Sequence, residues 1–156
     1  MTNRFFAIDV RDKIITLLQD NVLGFNVIIG TINLERTHTT PTAKSISYEW
    51  GQNQTQLIRV DVIESEVLYN EACLDLSLTK LPENFKVAVS GFLKSNDTSL
   101  KNWVEDWIEA IIRVLHNYNN SDITWIAYTD TKRTDLYNEK NETAKMFDVN
   151  FEVRIK

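Results

Sequence analysis

The sequence predicts an α+β fold, and three observations carry that prediction. From Leu100 to Tyr118 the apolar residues fall at 100, 103, 104, 107, 108, 111, 112, 115 and 118. This is the i, i+3, i+4 series of a one-sided helix, with Trp103, Trp107, Ile111 and Leu115 on one face. From Phe147 to Ile155 every second residue is apolar, the alternation of a strand with one wet face. Finally, the 156 residues are 43% hydrophobic and 25% charged, with four Trp, five Tyr and seven Phe. That composition is ordinary for a globular chain and supplies one core without staples, so residues 1–156 are expected to form a single domain.

The first element is expected to be a helix from about Asn3 to Asn21, with Phe6, Val10, Ile14, Leu17 and Leu18 on one face and Gly24 following its C-terminal end. Phe25–Ile29, short, apolar and rich in β-branched residues, reads as a buried strand. Residues 31–45 are Thr-rich and contain Pro41, so they read as a loop or exposed edge. Ser45–Trp50 alternates, and a turn at Gly51–Gln54 would lead into a strand at Gln56–Val62, making a hairpin. Leu74, Leu76 and Leu78 alternate with polar residues as another strand. Residues 65–72 fit helix and extended chain equally, 81–84 read as a turn, and Phe85, Val87 and Val89 fit a further strand or a loop.

The helix over 99–118 has Asp97, Thr98 or Ser99 available to cap it. Glu105, Asp106 and Glu109 lie in its first half and Arg113 and His116 in its second, complementing the helix dipole. Ile123–Tyr128 is the penultimate strand. Residues 130–145 are polar apart from Leu136, Tyr137 and Ala144, so they read as a long excursion before the closing strand. The elements together predict a mixed or antiparallel sheet of about four to six strands, a usual size, with the 3–21 and 99–118 helices packed on one face.

Chemistry-bearing patterns are sparse. The two histidines, His38 and His116, have no HxH, HxxxH or HExxH neighbour, which removes the usual sequence basis of a zinc site. The single cysteine, Cys73, has no CxxC partner and no adjacent base to lower its pKa. The acids Asp61, Glu64, Glu66, Glu71 and Asp75 form the densest carboxylate run, but without the glycine-centred loop of an EF-hand they read as a solvated face. Four glycines, at 24, 30, 51 and 91, cannot build a P-loop or a GxGxxG fingerprint. The net charge of −5 gives no basic footprint for nucleic acid, and Asp130 and Asp135 flank the one strong basic pair, Lys132–Arg133. Met1–Arg4 leads into an amphipathic segment rather than a secretory leader, and no apolar run has the length of a membrane span. These readings point to no catalytic residue, no metal and no cofactor.

The order of elements carries more information. An opening helix, a short apolar strand, a hairpin and a long helix lead to two closing strands around a polar excursion. The last of these is Thr143-Ala144-Lys145-Met146-Phe147-Asp148-Val149-Asn150-Phe151-Glu152-Val153. In this layout the chain resembles the tail-terminator (tail-completion) proteins of long-tailed bacteriophages and related prophage elements, small α/β proteins that assemble as rings capping the tail tube where tail meets head. The resemblance implies a non-enzymatic tail or head–tail connector component. Its partners would be other copies of itself in a homo-oligomeric ring and the tail tube and connector proteins, with no membrane and no specific nucleic acid. It would occupy the bacterial cytoplasm during assembly and then the virion tail. By analogy the contact residues lie in segments 31–45 and 130–145, with Arg36, His38, Lys132, Arg133, Leu136 and Tyr137 as candidates. Two rival classes stand beside it: a small-molecule-binding domain or enzyme with a pocket between helix and sheet, and a protein-interaction adaptor. A closed apolar pocket with convergent polar groups would favour the first rival.

Overall fold

The computed structural model describes residues 7–37, 39–50, 55–66, 83–95, 97–137 and 143–155, without the side chains of 136, 137 and 143. Within them the chain forms, in order, helices α1 (Ala7–Gln19) and α2 (Phe25–Glu35), strands β1 (Ser45–Ser47), β2 (Leu57–Glu66) and β3 (Asn84–Ser95), helix α3 (Leu100–Leu115), and strands β4 (Ile123–Tyr137) and β5 (Thr143–Ile155). The five strands make one mixed sheet in the order β1-β2-β3-β5-β4. β1 runs parallel to β2, and the other neighbours are antiparallel. The fold class is α+β, as the periodicities predict.

The core follows from those periodicities. Val10, Ile14 and Leu18 of α1 are buried one turn apart. Val104, Trp107, Ile108, Ile111 and Leu115 give α3 its buried stripe. Both stripes belong to one cluster with Phe85, Val87, Val89 and Leu93 of β3 and Phe147, Val149, Phe151 and Val153 of β5. Residues alternating with these, such as Lys86, Asp148 and Glu152, point to the opposite face. Trp107 stands at the centre of the packing. It is fully buried, meets Phe25 edge-on at 5.0 Å and Phe147 at 6.3 Å, and donates its indole N–H to the Pro41 carbonyl at 2.9 Å. Opposite Phe147 stands Gly91, where an added Cβ would lie 2.1 Å from the ring, so glycine is what admits the aromatic side chain.

Four expectations are corrected. Residues 25–29 are not a strand: they open α2, which continues through Gly30 to Glu35 and so takes residues 31–35 out of the expected loop. Phe25, Ile29 and Ile32 are its buried side, an i, i+4, i+7 series that outweighs the β-branched composition. Gly24 is the N-cap of α2, held by its N–H to the Asp20 carbonyl, where a Cβ would collide with backbone at 2.1 Å. Next, β1 and β2 pair in parallel and form no hairpin. β1 is only three residues long, and β2 is entered through Gln56 at φ 65°. The expected turn at 51–54 and the expected strand at 74–79 lie outside the described residues.

The third correction concerns residues 130–145. The described part of this segment is no loop: β4 runs through Tyr137 and β5 starts at Thr143, and the two are paired from Asp130↔Asn150 to Tyr137↔Thr143. The polar composition reflects a strand whose backbone is held by β5 while few of its side chains enter the core. Lastly, His116, expected to sit at the end of α3 as a dipole-complementing cation, accepts the Tyr128 N–H at Nδ1 over 3.1 Å, an acceptor role that needs the lone pair of that nitrogen.

Candidate functional site

The polar side of α3 presents Glu105, Glu109 and Arg113 at i, i+4 and i+8, a straight row along the helix. Two other parts of the chain reach this row, β4 and the C-terminal end of α2. Arg133 of β4 forms a two-pronged pair with Glu105, Nε and Nη2 each lying 2.8 Å from a carboxylate oxygen. Arg36, the C-cap residue of α2, donates to Glu109 at 3.2 Å. Arg113 bridges Glu109 at 3.0 Å and Glu35 at 3.2 Å. Hydrogen bonding to Glu35 is the main cause that raises the Arg113 pKa, and hydrogen bonding to Glu105 does the same for Arg133. Arg36, Glu105, Glu109, Arg113, Tyr128 and Arg133 line an open groove of about 620 Å³ between α3 and β4.

The groove's chemistry is that of a clasp. Each of the three arginines faces a glutamate, so no uncompensated cation is presented to a phosphate or carboxylate ligand. The pairs are exposed to solvent, so each contributes at most about 1 kcal/mol. What they fix is geometry: they tie α2, α3 and the far half of β4 together. Beneath them the Thr40 hydroxyl donates to the buried Asp106 carboxylate at 2.6 Å, anchoring the segment after α2 to the same helix.

The groove adjoins an edge of the sheet that is covered along only half its length. Asn117 N–H bonds the Ile126 carbonyl, Ile126 N–H bonds the Tyr118 carbonyl, and Asn120 N–H bonds the Ile123 carbonyl. With His116 on the Tyr128 N–H, the turn after α3 closes the outer edge of β4 as far as Tyr128. A bulge follows between Tyr128 and Asp130. Beyond it the alternation of an antiparallel ladder turns the N–H and C=O groups of Thr131, Arg133, Asp135 and Tyr137 away from β5. No backbone partner for them lies among the described residues. The opposite edge, β1, is short, and Gln19 caps its Ile46 carbonyl at 2.7 Å. Among the described residues two stretches of outer ladder therefore have no strand partner: the far half of β4, and β2 beyond Arg59, which the three residues of β1 do not reach.

The sequence-selected residues divide accordingly. Arg36 and Arg133, almost a hundred positions apart, come together on α3. Lys132 is exposed on the opposite sheet face, across the strand from Asp148. Leu136 and Tyr137 belong to the open half of β4 by backbone, their side chains lying outside the described residues, as does His38. The partners Glu35, Glu105, Glu109 and Arg113 were not selected. Their signal is the i, i+4 spacing of Glu105, Glu109 and Arg113, which the dipole explanation absorbed. Among the described residues no group of three metal-ligating side chains is assembled, and no helix is long and apolar enough to cross a membrane.

No protein-family model matches the chain, and no curated protein matches it. In fold it is similar to a chain of the virion of the native gene transfer agent (GTA) particle, with 12% sequence identity and a TM-score of 0.52, over 91% of this chain and 90% of that one. The two chains share an architecture across nearly their whole lengths.

Proposed function

We propose that the protein is a non-enzymatic structural component of a phage-type virion, assembling as a homo-oligomeric ring at the end of the tail tube. The half-open edge of β4 carries this reading. Open strand edges are sites at which chains add to one another, and natural monomers cover them. Among the described residues the turn after α3 covers the near half of β4, whereas the stretch from Thr131 to Tyr137 has no backbone partner on its outer side, and Arg133 ties it to Glu105 of α3. A contact in which that edge meets a different surface of the next copy is head-to-tail, and such contacts close into a ring when the rotation allows. The fold shared with a chain of the GTA virion supports a place in a virion, with tail tube and connector proteins as partners.

The test mixes the protein with tail tubes that lack their terminal ring and images them by electron microscopy. Closed annuli at tube ends are expected. The matching variant replaces residues 135–145 with Asn-Gly, because Thr134 and Met146 face each other and a two-residue turn joins them without breaking the remaining ladder. It should fold and fail to assemble. A strictly monomeric wild type that ignores tubes and binds a small metabolite tightly would overturn the proposal.

A further inference from the structure

The two stretches of ladder without a strand partner stand at opposite ends of the sheet, residues 131–137 on β4 and residues 60–66 on β2, seven residues each. Most of their charge is neutralised within the chain. On β4, Arg133 is held by Glu105 at 2.8 Å and Asp135 by Lys145 at 2.6 Å. On β2, Asp61 is paired with Arg59 at 3.0 Å and Glu64 with Lys86 at 3.4 Å. One charge is left over on each edge, and the two are of opposite sign. Lys132 is exposed, and the carboxylate across the strand from it, Asp148, takes the Ser90 hydroxyl. Glu66 is exposed and stands across from the neutral Asn84. Among the described residues neither Lys132 nor Glu66 enters an ion pair.

We infer that the free edge of β4 pairs antiparallel with residues 60–66 of β2 in the next copy. This contact rests on the head-to-tail ring proposed above and names the surface on which the β4 edge lands. Within one copy β4 runs antiparallel to β2, because three antiparallel steps separate them. Rotation about a ring axis leaves the direction of a strand along that axis unchanged, so β4 meets β2 of the next copy antiparallel as well. The backbone groups fit this pairing. The Gln56 carbonyl accepts the Lys44 N–H, so alternation turns Ile58, Val60 and Val62 outward on β2, and the bulge between Val62 and Glu64 moves the next outward position to Ser65. Full overlap of the two stretches sets Tyr137 on Val60, Asp135 on Val62 and Arg133 on Ser65, outward group against outward group, with the extra residue of the β2 bulge taken up between the last two pairs. The same register sets Lys132 opposite Glu66 on the sheet face away from the helices, so the two leftover charges meet. Each copy gives one edge and receives one, and closure leaves neither exposed.

Charge exchange and crosslinking test the contact. Glu66→Lys and Lys132→Glu should each raise the concentration at half-assembly about fivefold or more, the scale of an exposed ion pair lost, and the chain carrying both substitutions should assemble as wild type does. Both residues are exposed, so the melting temperature of the dilute, unassembled subunit should be the same in all four proteins. Glu66→Cys and Lys132→Cys together in a Cys73→Ser chain should give a covalent ladder of multimers under mild oxidation. Residues that face each other without exchanging backbone hydrogen bonds stand about 4.5 Å apart at Cα, within reach of a disulfide. Either new cysteine alone should give no interchain disulfide. Annuli that form without the crosslink, or charge variants that all assemble like wild type, would overturn this contact and leave the ring standing. So would a double reversal that fails to restore what the single ones lose. A disulfide from Lys132→Cys alone would mean that two β4 edges meet each other, and would also overturn it. A wild-type chain that forms no annulus, alone or on tail tubes, would overturn both the contact and the ring.

Discussion

Replacing Trp107 with alanine is the most direct probe of how this sequence makes its core. The side chain is fully buried, so its removal forfeits the transfer free energy of a large ring and leaves a cavity, at a cost of about 3–5 kcal/mol. Two further losses push toward the upper end. The edge-to-face contacts with Phe25 at 5.0 Å and Phe147 at 6.3 Å disappear, each worth about 0.5–1.5 kcal/mol. The Pro41 carbonyl also loses its donor, at about 1 kcal/mol. These contributions overlap, and a total near 5 kcal/mol is expected. At roughly 2–4 °C per kcal/mol for a chain of this size, the melting temperature should fall by about 10–20 °C. In urea the midpoint should drop by roughly 2 M. Lys101 lies on the exposed side of the same helix, and Lys101→Ala should change stability by no more than about 0.5 kcal/mol. Equal losses from the two substitutions would mean that α3 is rotated relative to this account.

Gly91→Ala should cost about 1–3 kcal/mol in chemical denaturation, because the new Cβ would overlap the Phe147 ring, and Phe147→Leu in the same chain should recover part of it. Hydrogen exchange on the isolated subunit should alternate along the far half of β4. Lys132 and Thr134, bonded toward β5, should be slow, and Thr131, Arg133 and Asp135 fast; uniform rates would contradict the edge assignment. Asp20 has its pKa lowered by the backbone N–H groups of Val22 and then Leu23. Its contribution is therefore complete above the ordinary value of 3.8 and is lost as pH falls through the lower folded value. Asp20→Asn should lack that segment of the acid-melting profile, and an identical profile in both proteins would count against the turn.

Elements with a long, unbroken period were legible in the sequence. The stripe of α3 and the alternation of β5 each extend over several turns or pairs, so one misplaced residue does not hide them. α2 was hidden by Gly30, which ends the mostly apolar stretch Phe25–Ile29 and makes it look like a short strand, although Ile32 continues the helical series. The far half of β4 was hidden for a different reason. Its side chains carry little burial, and its extended conformation comes from the ladder with β5, a tertiary partner that composition does not reveal. The same limit applies to the site. Arg36 and Arg133 were visible as basic residues in polar segments, but their meeting on Glu109 and Glu105 depends on how α2, α3 and β4 pack.

The central claim is that the free half of β4 drives closed self-assembly, and the mass of the assembled particle tests it most directly. Multi-angle light scattering of the purified 18.1 kDa chain, alone and with tail tubes, should give a closed, discrete multiple of the subunit mass, seen as an annulus by electron microscopy. The variant with residues 135–145 replaced by Asn-Gly should keep its melting transition and return no annulus. A wild-type chain that stays at 18.1 kDa under both conditions, or a shortened hairpin that assembles as well as wild type, would contradict the account.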